Sequence, residues 1–217
     1  MTFQYPRWAT ALLTLTVCLL PALGHAEWVF QVATGSAYNI PTPLKIRQLG
    51  EEDIDITAEY ETRAWATMAP YYDLRVGHWR GDHAWEFESL HHKLYLSNEP
   101  DEVQSFSISH GYNLNTVNYA KQEKAFIWRL GAGVVMTHPE TKIRGESWQD
   151  DGGVNGFYIS GLSTQAALEK RFFFRQKWFF SIEGKFTAAY ATIPVAGGEA
   201  DVPNIALHAL VGIGYAH

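Results

Sequence analysis

The sequence predicts an all-β fold, a closed antiparallel up-and-down β-barrel that crosses a membrane. Three observations lead there. The chain opens on an apolar leader, and long segments then alternate apolar and polar residues. Aromatic residues make up 14% of its 217 positions, although the mean hydropathy is only −0.17. A barrel wall produces that combination, because lipid-facing and lumen-facing residues alternate along each strand and average out.

Met1 to Ala26 reads as a secretory signal peptide. Arg7 is its only charge, Ala9 to Leu20 is apolar apart from threonines, and Gly24-His25-Ala26 is a small-x-small cleavage pattern. The apolar run is too short for a spanning helix. Residues 1–26 are therefore assigned to the leader and 27–217 to one barrel domain, with Glu27 as the mature start. The only cysteine, Cys18, lies in the leader, and Val17 before it and Leu19-Leu20 after it do not suit lipidation. Disulfides and cysteine nucleophiles are thus excluded, and any metal would need His and carboxylate ligands. Without Arg7, 16 of the 17 Lys and Arg stand against 23 Asp and Glu, a net charge of −7. An acidic chain without a basic cluster is not built for nucleic acid.

Ten strands are predicted, at 28–38, 42–49, 53–65, 70–79, 83–96, 103–116, 124–138, 156–172, 177–192 and 203–216. The second contains Pro43, and if it belongs to a loop the barrel has eight. In the third, Ile54, Ile56, Ala58 and Tyr60 oppose Asp55, Thr57, Glu59 and Glu61. In the fifth, Trp85 and Phe87 share one face. In the sixth, Phe106, Ile108, Tyr112 and Leu114 oppose Ser105, Ser107, Ser109 and Asn113, and this apolar face is read as the lipid side. In the seventh, Phe126, Trp128, Leu130, Val134 and Met136 oppose Arg129, Gly131, Gly133 and Thr137. The ninth is the clearest: Trp178, Phe180, Ile182, Phe186 and Tyr190 alternate with Phe179, Ser181, Glu183, Lys185 and Thr187. A period of two sustained this long exceeds an ordinary soluble strand and suits a spanning one. In the last, Ile205, Leu207, Ala209, Val211, Ile213 and Tyr215 form one face. Short turns (Gly50-Glu51-Glu52, Arg80-Gly81-Asp82, 118–123 and 173–176) alternate with connections that include the longest, 139–155 and 193–202. That asymmetry is expected between periplasmic turns and outer loops.

Alternate apolar residues running up to Tyr215 resemble the C-terminal assembly signal of small bacterial outer-membrane β-barrel proteins, departing from it at His217. The resemblance implies the outer membrane of a Gram-negative cell, insertion by the barrel assembly machinery, contact with outer-membrane lipids and lipopolysaccharide, and a monomer.

Charges on the non-lipid face are expected to pair inside a filled lumen. They are Asp55, Glu59, Glu61, Arg63, Asp73, Arg75, Glu86, Glu88, Arg129, Glu183 and Lys185, with His92 and His208 joining them. The hairpin around Ser97 to Glu102 is the candidate chemical site. If Leu96 faces Val103, Ser89 faces His110 and His91 lies diagonal to it, all on the lipid side. A serine and imidazoles so placed have the parts of a nucleophile and general base for an acyl ester. Ser89-Leu90-His91 resembles, in reversed order, the lipid-facing Ser/His pair of lipid A deacylase barrels, which implies catalytic roles for Ser89, His91 and His110. The competing reading places these residues at the membrane interface, with Lys93, Tyr95 and Tyr112 meeting lipopolysaccharide. His138-Pro139-Glu140, beside Glu146, Asp150 and Asp151 in the longest loop, could hold a divalent cation but is read as an ordinary acidic surface loop, and no metal is assigned. Gly152 to Gly156 precedes no helix and so forms no phosphate cradle, and no cofactor is expected. The function expected is therefore a filled, non-enzymatic barrel with a structural or lipopolysaccharide-interacting role, ahead of a lipid A acyl hydrolase and a narrow solute channel.

Overall fold

The computed structural model describes residues 26–65, 70–149 and 156–217. Residues 1–25 of the predicted leader lie outside the described residues, as do Asp150 and Asp151. The strands are β1 (Ala26–Ile40), β2 (Thr42–Gln48), β3 (Ile54–Ala58), β4 (Tyr60–Glu61), β5 (Tyr72–Arg80), β6 (His83–Leu96), β7 (Val103–Glu123), β8 (Phe126–Thr137), β9 (Glu140–Ile143), β10 (Glu146–Gln149), β11 (Tyr158–Phe173), β12 (Trp178–Val195) and β13 (Gly198–Ala216).

Eight of these close a ring, in the order β1, β5, β6, β7, β8, β11, β12, β13 and back to β1, with every pairing antiparallel. The seam between first and last strands runs from Val29 opposite Ala216 to Ile40 opposite Ile205, so no edge is left open there. The start of β1 and the end of β13 gather at the end that carries the tight turns after β5, β7 and β11. Ala26 faces Arg80, and the Ala216 amide donates to the Lys177 carbonyl. That end is the periplasmic one.

At the opposite end, β6, β7, β12 and β13 run past the ring and carry the remaining strands. β2 pairs β13 and β3, β4 pairs β6, and β9 pairs β7 and β10. The segments predicted at 42–49 and 53–65 therefore build an extracellular extension, and the ring has the eight-stranded count that Pro43 left open. The faces of this extension are also the reverse of the expectation. Leu44, Ile46, Ile54, Ala58 and Tyr60 are buried against β6, β7, β12 and β13, while Asp55, Glu59, Glu61 and Arg63 face water. A period-two pattern reports one buried face without saying what buries it.

The barrel wall itself reads as predicted. Trp28, Phe30, Val32, Trp85, Phe87, Leu130, Trp178, Phe180, Ile182, Phe186, Leu207, Val211 and Ile213 are exposed on its outside. Trp178 and Tyr190, twelve positions apart on β12, bound this belt. At a rise of about 3.4 Å and a tilt of about 40° they are separated by about 30 Å along the axis, the thickness of a bilayer's hydrocarbon core. A closed wall with this apolar, aromatic-edged exterior belongs in the outer membrane. Among the described residues no helix is long and apolar enough to cross a membrane; the crossing is made by strands.

The interior is filled in three layers. Val29, Trp79, Ala84, Ala120, Ile127, Phe179 and Ala216 close the periplasmic end. Charged side chains occupy the middle. Above them an apolar core continues into the extension, with Leu90, Leu94, Phe106, Ile108, Tyr112 and Leu114 all inward-facing and buried. The last four correct the sequence reading, which put them on the lipid side. Near the outer rim the interior is as apolar as the membrane, so hydrophobicity alone does not tell one face from the other.

Candidate functional site

The lumen holds a continuous ion-pair network. Arg75 donates from both terminal nitrogens to Glu183, each at 2.9 Å, and from Nε to Glu88 at 2.9 Å. Arg129, fully buried, donates to Glu86 at 2.5 Å, to Glu169 at 2.6 Å and to Glu183 at 3.1 Å. Lys185 donates to Asp73 at 2.6 Å and also pairs with Glu88. The amides of Gln31 and Asn118 donate to Glu169 and Glu88, and Gln165 donates to Asn118. One layer higher, His208 lies 2.5 Å from the Tyr71 hydroxyl through Nδ1 and 2.8 Å from Thr187 Oγ1 through Nε2. His92 Nε2 lies 2.9 Å from Asn39 Oδ1. The partners of both histidines are neutral, and His92 Nδ1 has none.

Of the predicted lumen residues, Arg75, Glu86, Glu88, His92, Arg129, Glu183, Lys185 and His208 are there. Glu59, Glu61 and Arg63 are not, because they belong to the extension. Sequence reasoning missed Glu169 and Arg171, which pair at 3.1 Å inside the barrel. Their signal is present: Gln165, Ala167, Glu169 and Arg171 alternate with Thr164, Ala166, Leu168 and Lys170 along β11.

The hairpin register differs from the expected one. Ser89 faces Asn115 and His91 faces Asn113. Between His92 and Leu94 the ladder shifts, so that Ser109 to Gly111 bulge out of β7 opposite Lys93. Gly111 makes the bulge with φ +129°, a conformation side-chain-bearing residues avoid. His110 thus lies five positions along β7 from Ser89's partner, about 17 Å at strand rise. A nucleophile and its base must be in hydrogen-bond reach, so Ser89 and His110 do not form a catalytic pair. His91 is also engaged elsewhere. Its ring stacks on Tyr72 at 4.8 Å between centroids, and Nδ1 lies 2.7 Å from Asn113 Oδ1. Ser89 itself borders an apolar exterior groove of about 470 Å³ with Phe30, Val32, Phe87, Trp178 and Ile213, a place for an acyl chain rather than for water.

The lipopolysaccharide trio is split as well. Tyr112 points inward, and its hydroxyl donates to the Val202 carbonyl at 2.8 Å. Lys93 and Tyr95 stay together, Lys93 fully buried and Tyr95 partly exposed. Lys93 Nζ donates to the Arg63 carbonyl at 3.2 Å and stands 5.7 Å from the Tyr95 ring centre, and the Arg63 guanidinium lies over the same ring at 4.7 Å. Tyr95 therefore gathers two cations just above the level where the exposed belt on β6, Trp85 and Phe87, gives way to Ser89 and His91.

No protein-family model matches this chain, and none of the curated proteins does. Its fold is similar to several solved structures. Ail, the attachment invasion locus protein of Yersinia pestis, is 11% identical, with 88% of this chain and 97% of that one covered and a TM-score of 0.41. For the outer membrane protein AlkL the values are 12% identity, 100% and 97% coverage and a TM-score of 0.48. For the outer membrane protease OmpT of Escherichia coli they are 9%, 91% and 99%, and 0.42.

Proposed function

We propose that this chain is a non-enzymatic, non-conducting outer-membrane barrel that engages lipopolysaccharide at its outer rim. The observation that carries the reading is the filled interior. Among the described residues an apolar layer, a paired charge network and a second apolar core occupy the lumen in turn. Its work is then done on the outside. There, the exposed Arg63 guanidinium, held over the Tyr95 ring, is at the height of lipid phosphates, with Lys93 buried beside it. Glu61 engages Arg63 only through Nε, at 2.7 Å, and a guanidinium has five N–H donors, so capacity for a phosphate remains. A cation at this level adds about 1 kcal/mol of attraction to an anionic surface. As the ring seals through its own first and last strands, the chain inserts as a monomer through the barrel assembly machinery.

The test is retention of lipopolysaccharide by the purified barrel. Arg63→Ala is expected to lower the amount retained, and lipopolysaccharide stripped of its lipid A phosphates is expected to bind the parent no better than the variant. Step conductance of the parent in planar bilayers, or unchanged retention in Arg63→Ala, would overturn the proposal.

A further inference from the structure

The bulge that removes His110 from Ser89 delivers it to another pair of residues. His110 Nδ1 lies 3.0 Å from Glu140 Oε1, and the rings of His110 and His138 are 5.1 Å apart. One ligand atom from each of His110, His138 and Glu140 lies within 4.8 Å of the other two. The spacing His138-Pro139-Glu140 contributes two of these groups, His138 from the link between β8 and β9 and Glu140 from the first position of β9. The third comes from β7, 28 positions earlier, and only the bulge brings it there.

Two further features point to a ligand. His138 is 4% exposed, and its Nδ1 is fully buried without a hydrogen-bond partner. A buried imidazole is normally satisfied, so this ring lacks a partner that a cation would supply or orient. The carboxylate is oriented as well, since the Ser109 hydroxyl donates to Glu140 Oε2 at 3.2 Å, the outer-shell contact that ligating carboxylates usually carry. The ring of His138 is fixed by Phe157 at 5.2 Å and by Gly156, where any Cβ would fall 2.4 Å from Cε1.

We propose that His110, His138 and Glu140 form an extracellular binding site for a late first-row divalent cation such as Zn2+. Two imidazoles and one carboxylate are the donor set of zinc rather than of calcium or magnesium, which favour all-oxygen shells. Tetrahedral ligands at about 2.0–2.2 Å from the ion are separated by about 3.3–3.5 Å. The His110–Glu140 contact is already close to that, and the exposed His110 ring and Glu140 would turn to bring their separations from the fixed His138, at most 4.8 Å, down to it. With three protein ligands the fourth position is left to water. The bound ion would pin the β7 bulge to the β8–β9 link and so brace the outer loops.

The test uses the mature barrel refolded in phosphatidylcholine vesicles and titrated with zinc chloride against a chromogenic chelator. One site per chain is expected. Its affinity should fall at least about tenfold in His110→Ala and in Glu140→Gln, while His83→Ala, at the periplasmic turn, stays like the parent. Cobalt(II) should give the strong visible absorption of a four-coordinate site, lost in His110→Ala. Because His110 is more than half exposed, its removal leaves the fold intact, and a native heat-shift on gels checks this. Binding no tighter than about 1 mM, affinity unchanged in His110→Ala, or displacement of zinc by equimolar calcium would each overturn the site.

Discussion

Arg129→Met gives the sharpest test of what holds this barrel together. Arg129 is the main partner of Glu86. Without it, Glu86 keeps only Arg75 and Arg171, each at 3.9 Å, too long for a hydrogen bond. Glu183 and Glu169 lose one donor each but keep Arg75, Lys185 and Arg171. The network has four cations (Arg75, Arg129, Arg171, Lys185) and five carboxylates (Asp73, Glu86, Glu88, Glu169, Glu183), so the substitution leaves three against five. Stranding a buried charge in this way costs about 3–5 kcal/mol, a large share of a typical stability of about 5–15 kcal/mol. The cost should lie in the unpaired carboxylate rather than in the lost pair. Adding Glu86→Gln restores the parent's excess of one negative charge and should recover at least about 2 kcal/mol. Urea unfolding in lipid vesicles, followed by tryptophan fluorescence, measures both. If Arg129→Met costs less than about 1 kcal/mol, or if the double variant is no more stable than the single, the lumen is not held by paired charges and the reasoning fails.

Ile213→Asp, on the lipid face of β13, should block assembly, since a charge there costs up to about 2–4 kcal/mol at mid-bilayer; loss of the heat-shifted band on gels measures it. Glu183→Gln keeps the same volume and brings the network to four against four, so it should assemble normally in the same assay. Ser89→Ala should leave lipid A unchanged by mass spectrometry when the barrel is expressed, and any deacylation that depends on Ser89 would contradict the observed register. In the extension, hydrogen bonds from Arg47 hold the Asp201 carboxyl below its ordinary range. A depressed carboxyl stabilises above its unfolded value, about 3.9, and that contribution is lost as pH falls through the lower folded value. The protection factor of the Ile46 amide, which faces Ala200 beside this clip, should therefore fall only below about pH 4 in the parent, and Asp201→Asn should show the lowered protection at neutral pH.

The sequence by itself determined the wall. Along β12 (178–190) and β13 (205–215) one face carries apolar residues, most of them large, and in β8 and β12 the opposite face carries Arg129, Glu183 and Lys185, so lipid and lumen sides were legible from period alone. The alternation works there because the two environments differ in polarity and each residue must match one of them. It failed at the outer end, where β2, β3, β6 and β7 bury apolar residues against other strands instead of lipid. Leu44, Ile54, Phe106 and Tyr112 carry the same pattern as a spanning strand, and only the pairing of β2 with β13 and β9 with β7 shows what covers them. Tertiary structure also decided the site. The register between β6 and β7 depends on a three-residue bulge at Gly111, which no periodicity records. That bulge separates His110 from Ser89 and sets it beside His138 and Glu140. Period along a strand is local, whereas register and long-range convergence are set by how neighbouring strands pack, and the chemistry at the rim follows from the latter.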